Sequence, residues 1–236
     1  VVTHYRDTLP PRDGDGHGVH ALLPAAMADW LYAEHPLPTK ATAWVDALNA
    51  GHTPDTYSGK PDDLAVLPYT SGTTALPKGC MHTHRSLMPN VVGASLWSLA
   101  SAESVALAVV PMFHITGMMY AVHASLWSGS TQVLMPRWDR ELAAALIAQH
   151  GVTHWTCIPT MVIDLLGSPN VARFDLSSLR YLSGGGAAMP QAVAERLQRD
   201  FGLTFAEGYG LTETAAPSHA NPPERAKLQC LGIPIF

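Results

Sequence analysis

The stretch TQVLMPRWDRELAAALIAQHGVTHWTC, residues 131–157, decides the fold. Residues 131–135 form an apolar run of strand length. Residues 140–150 carry apolar side chains at helical spacing, and 152–157 return to a strand run. A strand, a helix and a second strand in that order make one crossover unit. The same alternation extends outward. Toward the C-terminus the pattern predicts a helix over 160–166, a strand over 179–183, a helix over 191–201 and a strand over 203–206. Toward the N-terminus it predicts a helix over 118–127, a strand over 105–110 and a helix over 86–99. Before these come a short apolar run at 64–69, a polar loop and a returning segment at 79–82. Repeated crossovers of this kind predict an α/β fold with a mostly parallel sheet covered by helices on both faces. No fixed-period repeat or low-complexity tract interrupts it.

The first 60 residues differ. They mix Pro, Gly, Asp and His, with helical spacing only at 25–33 and 42–50 and no buried-strand run. They read as the incomplete end of a larger unit, so we expect a segment 1–60 and a core 61–236.

Composition narrows the function classes. The chain has 236 residues, of which 47% are hydrophobic, enough for a sizeable core. Its 14 Lys and Arg against 19 Asp and Glu give a net charge of -5, which argues against a nucleic-acid backbone as partner. Twelve histidines are scattered, and the close pair His82 and His84 has no Cys or carboxylate cluster to complete a zinc set. Those two read as strand or helix-entry residues. Cys80, Cys157 and Cys230 make no CxxC pair, which suits a reducing compartment. The chain starts without a signal-like segment, and its longest apolar stretch is too short to span a bilayer. A cytoplasmic protein is the expectation; monomer or homodimer is left open.

In parallel α/β folds, ligands sit in loops at the carboxyl ends of strands. Three such loops stand out: 70–79, 184–187 and 208–213. The first reads Tyr69-Thr70-Ser71-Gly72-Thr73-Thr74-Ala75-Leu76-Pro77-Lys78-Gly79. Its hydroxyls, glycines and lysine could wrap a polyphosphate through backbone N–H groups and side-chain donors. Gly72 and Lys78 have the Walker offset, but Pro77 and Gly79 replace the residues that flank a Walker lysine, so it is no P-loop NTPase.

The run YTSGTTALPKG closely resembles the phosphate-loop signature of the adenylate-forming enzymes, which include acyl-CoA synthetases, luciferases and peptide-synthetase adenylation domains. Ala75 stands where that family most often has glycine. Further segments match in the family's order. Pro111–Gly117 resembles the segment whose histidine, here His114, borders the acyl pocket, with Gly117 closing it. Ser183-Gly184-Gly185-Gly186-Ala187 resembles the loop that packs against adenine and the acyl chain. Glu207-Gly208-Tyr209-Gly210-Leu211-Thr212-Glu213 resembles the loop completing the nucleotide site, and Leu231–Pro234 the turn beyond it.

The resemblance implies ATP, Mg²⁺ and coenzyme A as reactants and cofactor. It places Thr70, Ser71, Gly72, Thr73, Thr74 and Lys78 around the phosphates. Tyr209 offers a ring to one adenine face, with the Cβ-free backbone of Gly184–Gly186 on the other. Thr212 can hydrogen-bond the α-phosphate, and Glu213, with Thr70 near it, is a hard oxygen ligand suited to Mg²⁺. Gly185 and Tyr209 also border the acid. The implied chemistry is attack of a carboxylate on the α-phosphorus of ATP, then displacement of AMP by a thiol. The apolar stretch Met118–Val122 suggests an alkyl, fatty acid. Transfer to a carrier protein, or a non-catalytic nucleotide-binding module, are the alternatives. The family's ribose-gripping aspartate and small C-terminal lid domain with its lysine are not found in the 236 residues, so a fragment of the large N-terminal domain with little turnover of its own is expected.

Overall fold

The computed structural model describes residues 40–70 and 76–235 and divides into two units, Val1–Gly59 and Lys60–Phe236. In the first unit, helix α1 spans Trp44–Asn49, inside the stretch 42–50 that the sequence marks as helical. The expected helix at 25–33 lies outside the described residues.

The second unit is built on a seven-stranded sheet. Its strands are β5 (Val105–Ala108), β6 (Thr131–Leu134), β7 (His154–Cys157), β8 (Tyr181–Gly184), β9 (Phe205–Leu211), β10 (Ala216–Ala220) and β11 (Ile233–Pro234), in the order β11-β10-β9-β8-β7-β5-β6. From β6 to β9 all neighbours are parallel, while β10 and β11 are antiparallel. The mostly parallel α/β architecture expected from the alternating pattern is therefore present.

Helices α2 (His84–Trp97), α3 (Ile115–Gly117) and α4 (Ala124–Ser128) precede or link β5 and β6, and α5 (Arg140–His150), α6 (Pro159–Leu166) and α7 (Gln191–Phe201) make the later crossovers. Helix α5 begins where Asp139 accepts a hydrogen bond from the Leu142 N–H at 2.9 Å and stops at Gly151, in the left-handed region. Helix α2 starts two residues earlier than the sequence pattern predicts, because Thr83 and Ser86 form a reciprocal capping box.

The side to which successive strands are added reverses between β5 and β7, although the two strands run parallel. β5 crosses to β6 on one side, whereas β7 crosses to β8 on the other. With right-handed crossovers, the two sets of helices fall on opposite sheet faces. Side chains agree. His154 reaches the Ser98 carbonyl just beyond α2 at 3.0 Å, while its neighbour Trp155 stacks on Trp138, ahead of α5, with centroids 5.5 Å apart. The crevice at the carboxyl ends of β5 and β7 is thus the topological switch point, where ligands bind in such sheets.

Three local readings change. The apolar run 64–69 is not one strand. Pro68, which lacks an N–H, separates β1 (Leu64–Val66) from β2 (Tyr69–Thr70). β1 pairs with β4 (His82–Thr83) and β2 with β3 (Lys78–Gly79), as small antiparallel ladders outside the main sheet. The helix expected over 118–127 has a π-helical stretch at Met118–His123 before α4. And β9 runs on through Gly208, Tyr209, Gly210 and Leu211, which the sequence reads as a loop; β10 supplies the backbone partners that make it a strand. Among the described residues, no helix is long and apolar enough to cross a membrane.

Candidate active site

A cavity of about 600 Å³ opens at the switch point. Its walls come from the residues following β5 (Val110, Pro111), the end of β7 (Cys157, Ile158), the end of β8 (Gly184 to Gly186) and the antiparallel part of β9 with its turn (Gly208 to Glu213). Thr70, the last residue of β2, joins them. Elements far apart in sequence therefore converge on one space.

The glycines there serve the protein's own backbone first. A Cβ on Gly184 would lie 1.8 Å from the Cys157 carbonyl oxygen, and one on Gly210 1.9 Å from that of Ala216. Neither position can carry a side chain without moving a strand. The sequence assigns the Gly184–Gly186 run to a ligand face; at Gly184 the close approach is made by β7 itself.

The turn after β9 is tightly held. Ala215 and Ala216 both have positive φ, 55° and 79°, a conformation that is costly for alanine. The Asn90 side-chain amide of α2 donates to the carbonyls of Thr214 and, at 3.1 Å, Ala215. His82 of β4 donates from Nε2 to the Thr212 carbonyl at 2.7 Å; a carbonyl only accepts, so Nε2 carries the proton. Thr214 Oγ1 accepts from the Leu211 N–H at 2.9 Å and donates within the turn. Sequence reasoning assigns His82 to strand packing, where it does lie, and passes over Asn90. A signal existed for Asn90. It sits three residues after buried Leu87 and four before buried Ala94, on the apolar stripe of α2, where a polar group demands a partner. Which partner, more than a hundred residues away, the sequence cannot say.

Of the residues expected at the site, Thr70, His114, Gly184, Gly185, Gly186, Gly208, Tyr209, Gly210, Leu211, Thr212 and Glu213 line the cavity. Tyr209 is 46% exposed and meets His219, its partner on β10, edge-on at 6.4 Å. His114 caps α3, its Nδ1 accepting from the Thr116 N–H at 3.2 Å, which leaves Nε2 for a ligand. Lys78, Gly117, Ala187 and Glu207 lie beside the cavity and not in its wall. Lys78 is exposed and directly opposite Thr70 across the β2–β3 ladder. Gly117 is pressed on the backbone, its missing Cβ only 2.2 Å from the Pro111 carbonyl oxygen. Glu207 is buried and its main-chain carbonyl accepts from the Asn221 backbone N–H and side-chain amide. Ser71, Gly72, Thr73 and Thr74 lie outside the described residues.

Glu213 is exposed on the cavity wall and makes no hydrogen bond or ion pair among the described residues. Partial burial and, next, the Glu213 charge push the Cys80 thiol up, which puts this carboxylate within electrostatic reach of the β3–β4 link. Among the described residues no group of three or more His, Cys, Asp or Glu could cage a metal. One free carboxylate and the Thr70 hydroxyl on a shared cavity fit Mg²⁺, which takes few protein ligands and fills its shell with phosphate oxygens and water.

A doubly wound α/β sheet with a switch-point cavity, lined in part by Thr70 of the β2–β3 ladder, defines the class of open α/β cores that bind ligands at the carboxyl ends of their strands. The chain matches the family model of the AMP-binding enzymes over residues 14–236, and it belongs to that family. It is 36% identical over 162 residues to a long-chain-fatty-acid–CoA ligase of Bacillus subtilis (strain 168), covering 67% of this chain and 29% of that relative. It is also 36% identical over 158 residues to 4-coumarate–CoA ligase 3 of Oryza sativa subsp. japonica, covering 65% and 28%. The chain thus spans under a third of the length of these curated relatives. Among solved structures it is similar to the inhibitor-bound N-terminal domain of FACL13 from Mycobacterium tuberculosis, with TM-score 0.70 and 27% identity over 85% of this chain and 52% of that one. It is also similar to the o-succinylbenzoate CoA synthetase of Bacillus subtilis in complex with its acyl-adenylate, with TM-score 0.67 and 32% identity over 75% and 36%.

Proposed function

We propose that this chain is the nucleotide- and acid-binding core of an acid–thiol ligase. In its first half-reaction a carboxylate oxygen attacks the α-phosphorus of ATP; the acyl–O–P bond forms and pyrophosphate leaves. In the second, the thiol sulfur of coenzyme A attacks the acyl carbon, AMP leaves and the thiol proton passes to solvent or a base. What supports this reading is the single cavity shared by Thr70, the Gly184–Gly186 edge, Tyr209 and Glu213 at the switch point. A reaction between two bound substrates needs them in one dry, shaped space more than it needs a protein nucleophile.

Each residue then has a task. Tyr209, steadied by His219, stacks on adenine. The N–H groups and hydroxyls of the Thr70–Gly79 hairpin hold the leaving pyrophosphate, with Lys78 as a mobile cation at its rim. Thr212 donates to the α-phosphate. Mg²⁺, when bound, draws charge off the phosphate oxygens; Glu213 and Thr70 would hold it. The Asn90 and His82 contacts keep Thr212 and Glu213 in position.

For the acid, the Bacillus relative supports a fatty chain, whereas the coumarate and succinylbenzoate ligases support acids with a polar or aromatic body. The unpaired Cys80, Cys157 and Cys230 support a reducing, cytoplasmic setting. The test is ATP–pyrophosphate exchange by the full-length protein. Glu213→Ala is expected to fold normally and lose on the order of 10²–10³ in rate. Near-native exchange would remove Glu213 from metal binding.

A further inference from the structure

Backbone conformation and side-chain burial pull in opposite directions at the turn that carries Thr212 and Glu213. Among the described residues, those other than glycine with positive φ are Lys40, Leu99, Ala215, Ala216 and Gln229. Lys40, Leu99 and Gln229 are exposed. Ala215 and Ala216 are buried, with only 1% and 4% of their surface accessible. Glycine suits such a conformation and alanine does not. Two consecutive alanines there require a compensating gain from the structure around them.

That gain lies behind the turn. The two methyls enter the apolar cluster built by Leu87, Val91 and Ala94 of α2, Ile115 of α3 and Met119 of the π-helical stretch. The same helix sends the Asn90 amide to the Thr214 and Ala215 carbonyls. His82, two residues ahead of α2, donates from Nε2 to the Thr212 carbonyl at 2.7 Å. These anchors hold the backbone on both sides of Glu213 and leave its carboxylate to the cavity. A glycine at 215 or 216 satisfies the backbone and removes a methyl anchor. The turn is then free to leave the cavity wall at little cost to the fold, because relief of φ and loss of a buried methyl offset each other.

We propose that Ala215 and Ala216 are positioning residues. Their methyls, seated in the α2 cluster, hold the turn in a strained conformation in which Thr212 and Glu213 face the phosphates of ATP and Mg²⁺. The task given to the turn rests on the nucleotide reading above; its attachment to α2 does not.

The experiment compares Ala215→Gly, Ala216→Gly and, as control, Leu99→Gly in the full-length protein. The readings are the denaturation midpoint, amide hydrogen exchange over residues 211–216 without ligand, and calorimetric affinity for adenosine and for ATP with and without Mg²⁺. Leu99→Gly relieves the same backbone conformation at an exposed site, so it should raise the midpoint and leave the other readings unchanged. The two alanine variants should keep a midpoint close to native and exchange about tenfold faster over the turn. They should also lose about tenfold of the gain in ATP affinity that Mg²⁺ brings. Adenosine affinity should stay within about twofold, because Tyr209 and the Gly184–Gly186 edge are untouched.

Unchanged amide exchange over the turn in both alanine variants overturns the proposal, as does faster exchange with the full Mg²⁺ gain retained. Adenosine affinity falling in step with that for ATP marks a general collapse of the site and overturns it too. If one alanine variant does not fold, the same outcome is required of the other. Native protein that binds ATP with no gain from Mg²⁺ sinks the metal reading of Glu213; amide exchange, run without ligand, still decides the attachment.

Discussion

Along β7 and β8, neighbouring residues do opposite work. Trp155 and its register partner Leu182 turn to one face of the sheet and are almost fully buried. Trp155 stacks on Trp138, whose indole N–H donates to Asp164 of α6 at 2.8 Å, while Arg140 of α5 reaches the other oxygen of the same carboxylate at 3.1 Å. That face is closed and apolar; Asp164 pairs Trp138 and Arg140 at its rim, while the buried Trp155 indole N–H has no hydrogen-bond partner among the described residues. On the other face stand His154, Thr156, Tyr181 and Ser183, one residue out of step, with hydroxyls and a cavity. Because the strand period is two, one sequence can carry a stability face and a chemistry face at once. A change on one face should then leave the other's property alone.

The largest effect is expected on the closed face. Trp155→Ala removes a fully buried ring and should cost about 3–5 kcal/mol of stability, read as a lower denaturation midpoint. Nucleotide affinity of the molecules that remain folded should change little. A loss below about 1 kcal/mol would mean that the face is not where stability is stored.

The separation sharpens at Asn90, which belongs to neither strand yet anchors the cavity turn. Asn90→Ala leaves the Thr214 and Ala215 carbonyls without their donor beside two alanines at positive φ. We expect a stability loss of about 1–2 kcal/mol, together with a roughly tenfold fall in pyrophosphate exchange as Thr212 and Glu213 lose register. Unchanged exchange at reduced stability would make Asn90 a packing residue only.

The smallest effect is at Lys78, exposed and beside the cavity. Lys78→Met keeps the apolar stem and should leave the denaturation midpoint unmoved. The preference for ATP over AMP should shrink by no more than about fivefold, the scale of a solvent-exposed charge contact. Paired titrations of the two nucleotides at low salt check this. Equal weakening of both would point to collapse of the β2–β3 hairpin.

How much of this was legible in the sequence varies by element. Helices α5 and α7 have the bounds the pattern predicts, because capping or terminal residues and an apolar stripe act within a few neighbours. The parallel strands appear at their expected places: β5, β6 and β7 are trimmed by one or two residues, while β8 and β9 start two residues late and run past their expected ends. Residues 208–211 failed as a loop for a physical reason. Four residues including two glycines have poor strand propensity, and only the antiparallel partner β10, absent from any local window, pairs their backbone. The site was legible as motifs; Thr70, Tyr209, Thr212 and Glu213 were named before their meeting place existed. The residues missed were those whose role lies in a distant partner: Asn90, the second task of His82, and the hydroxyls on β7 and β8.

The sequence by itself determined the alternation of strands and helices, hence the parallel sheet and the loops from which a nucleotide site is drawn, because periodicity and capping are local. Tertiary structure alone decided the rest. It set the reversal between β5 and β7 that opens the cavity, the strand face on which Tyr181 and Ser183 stand, and the union of Asn90 with a turn 124 residues away. Register and crossover direction are settled by which surfaces pack together, and no neighbour along the chain carries that information.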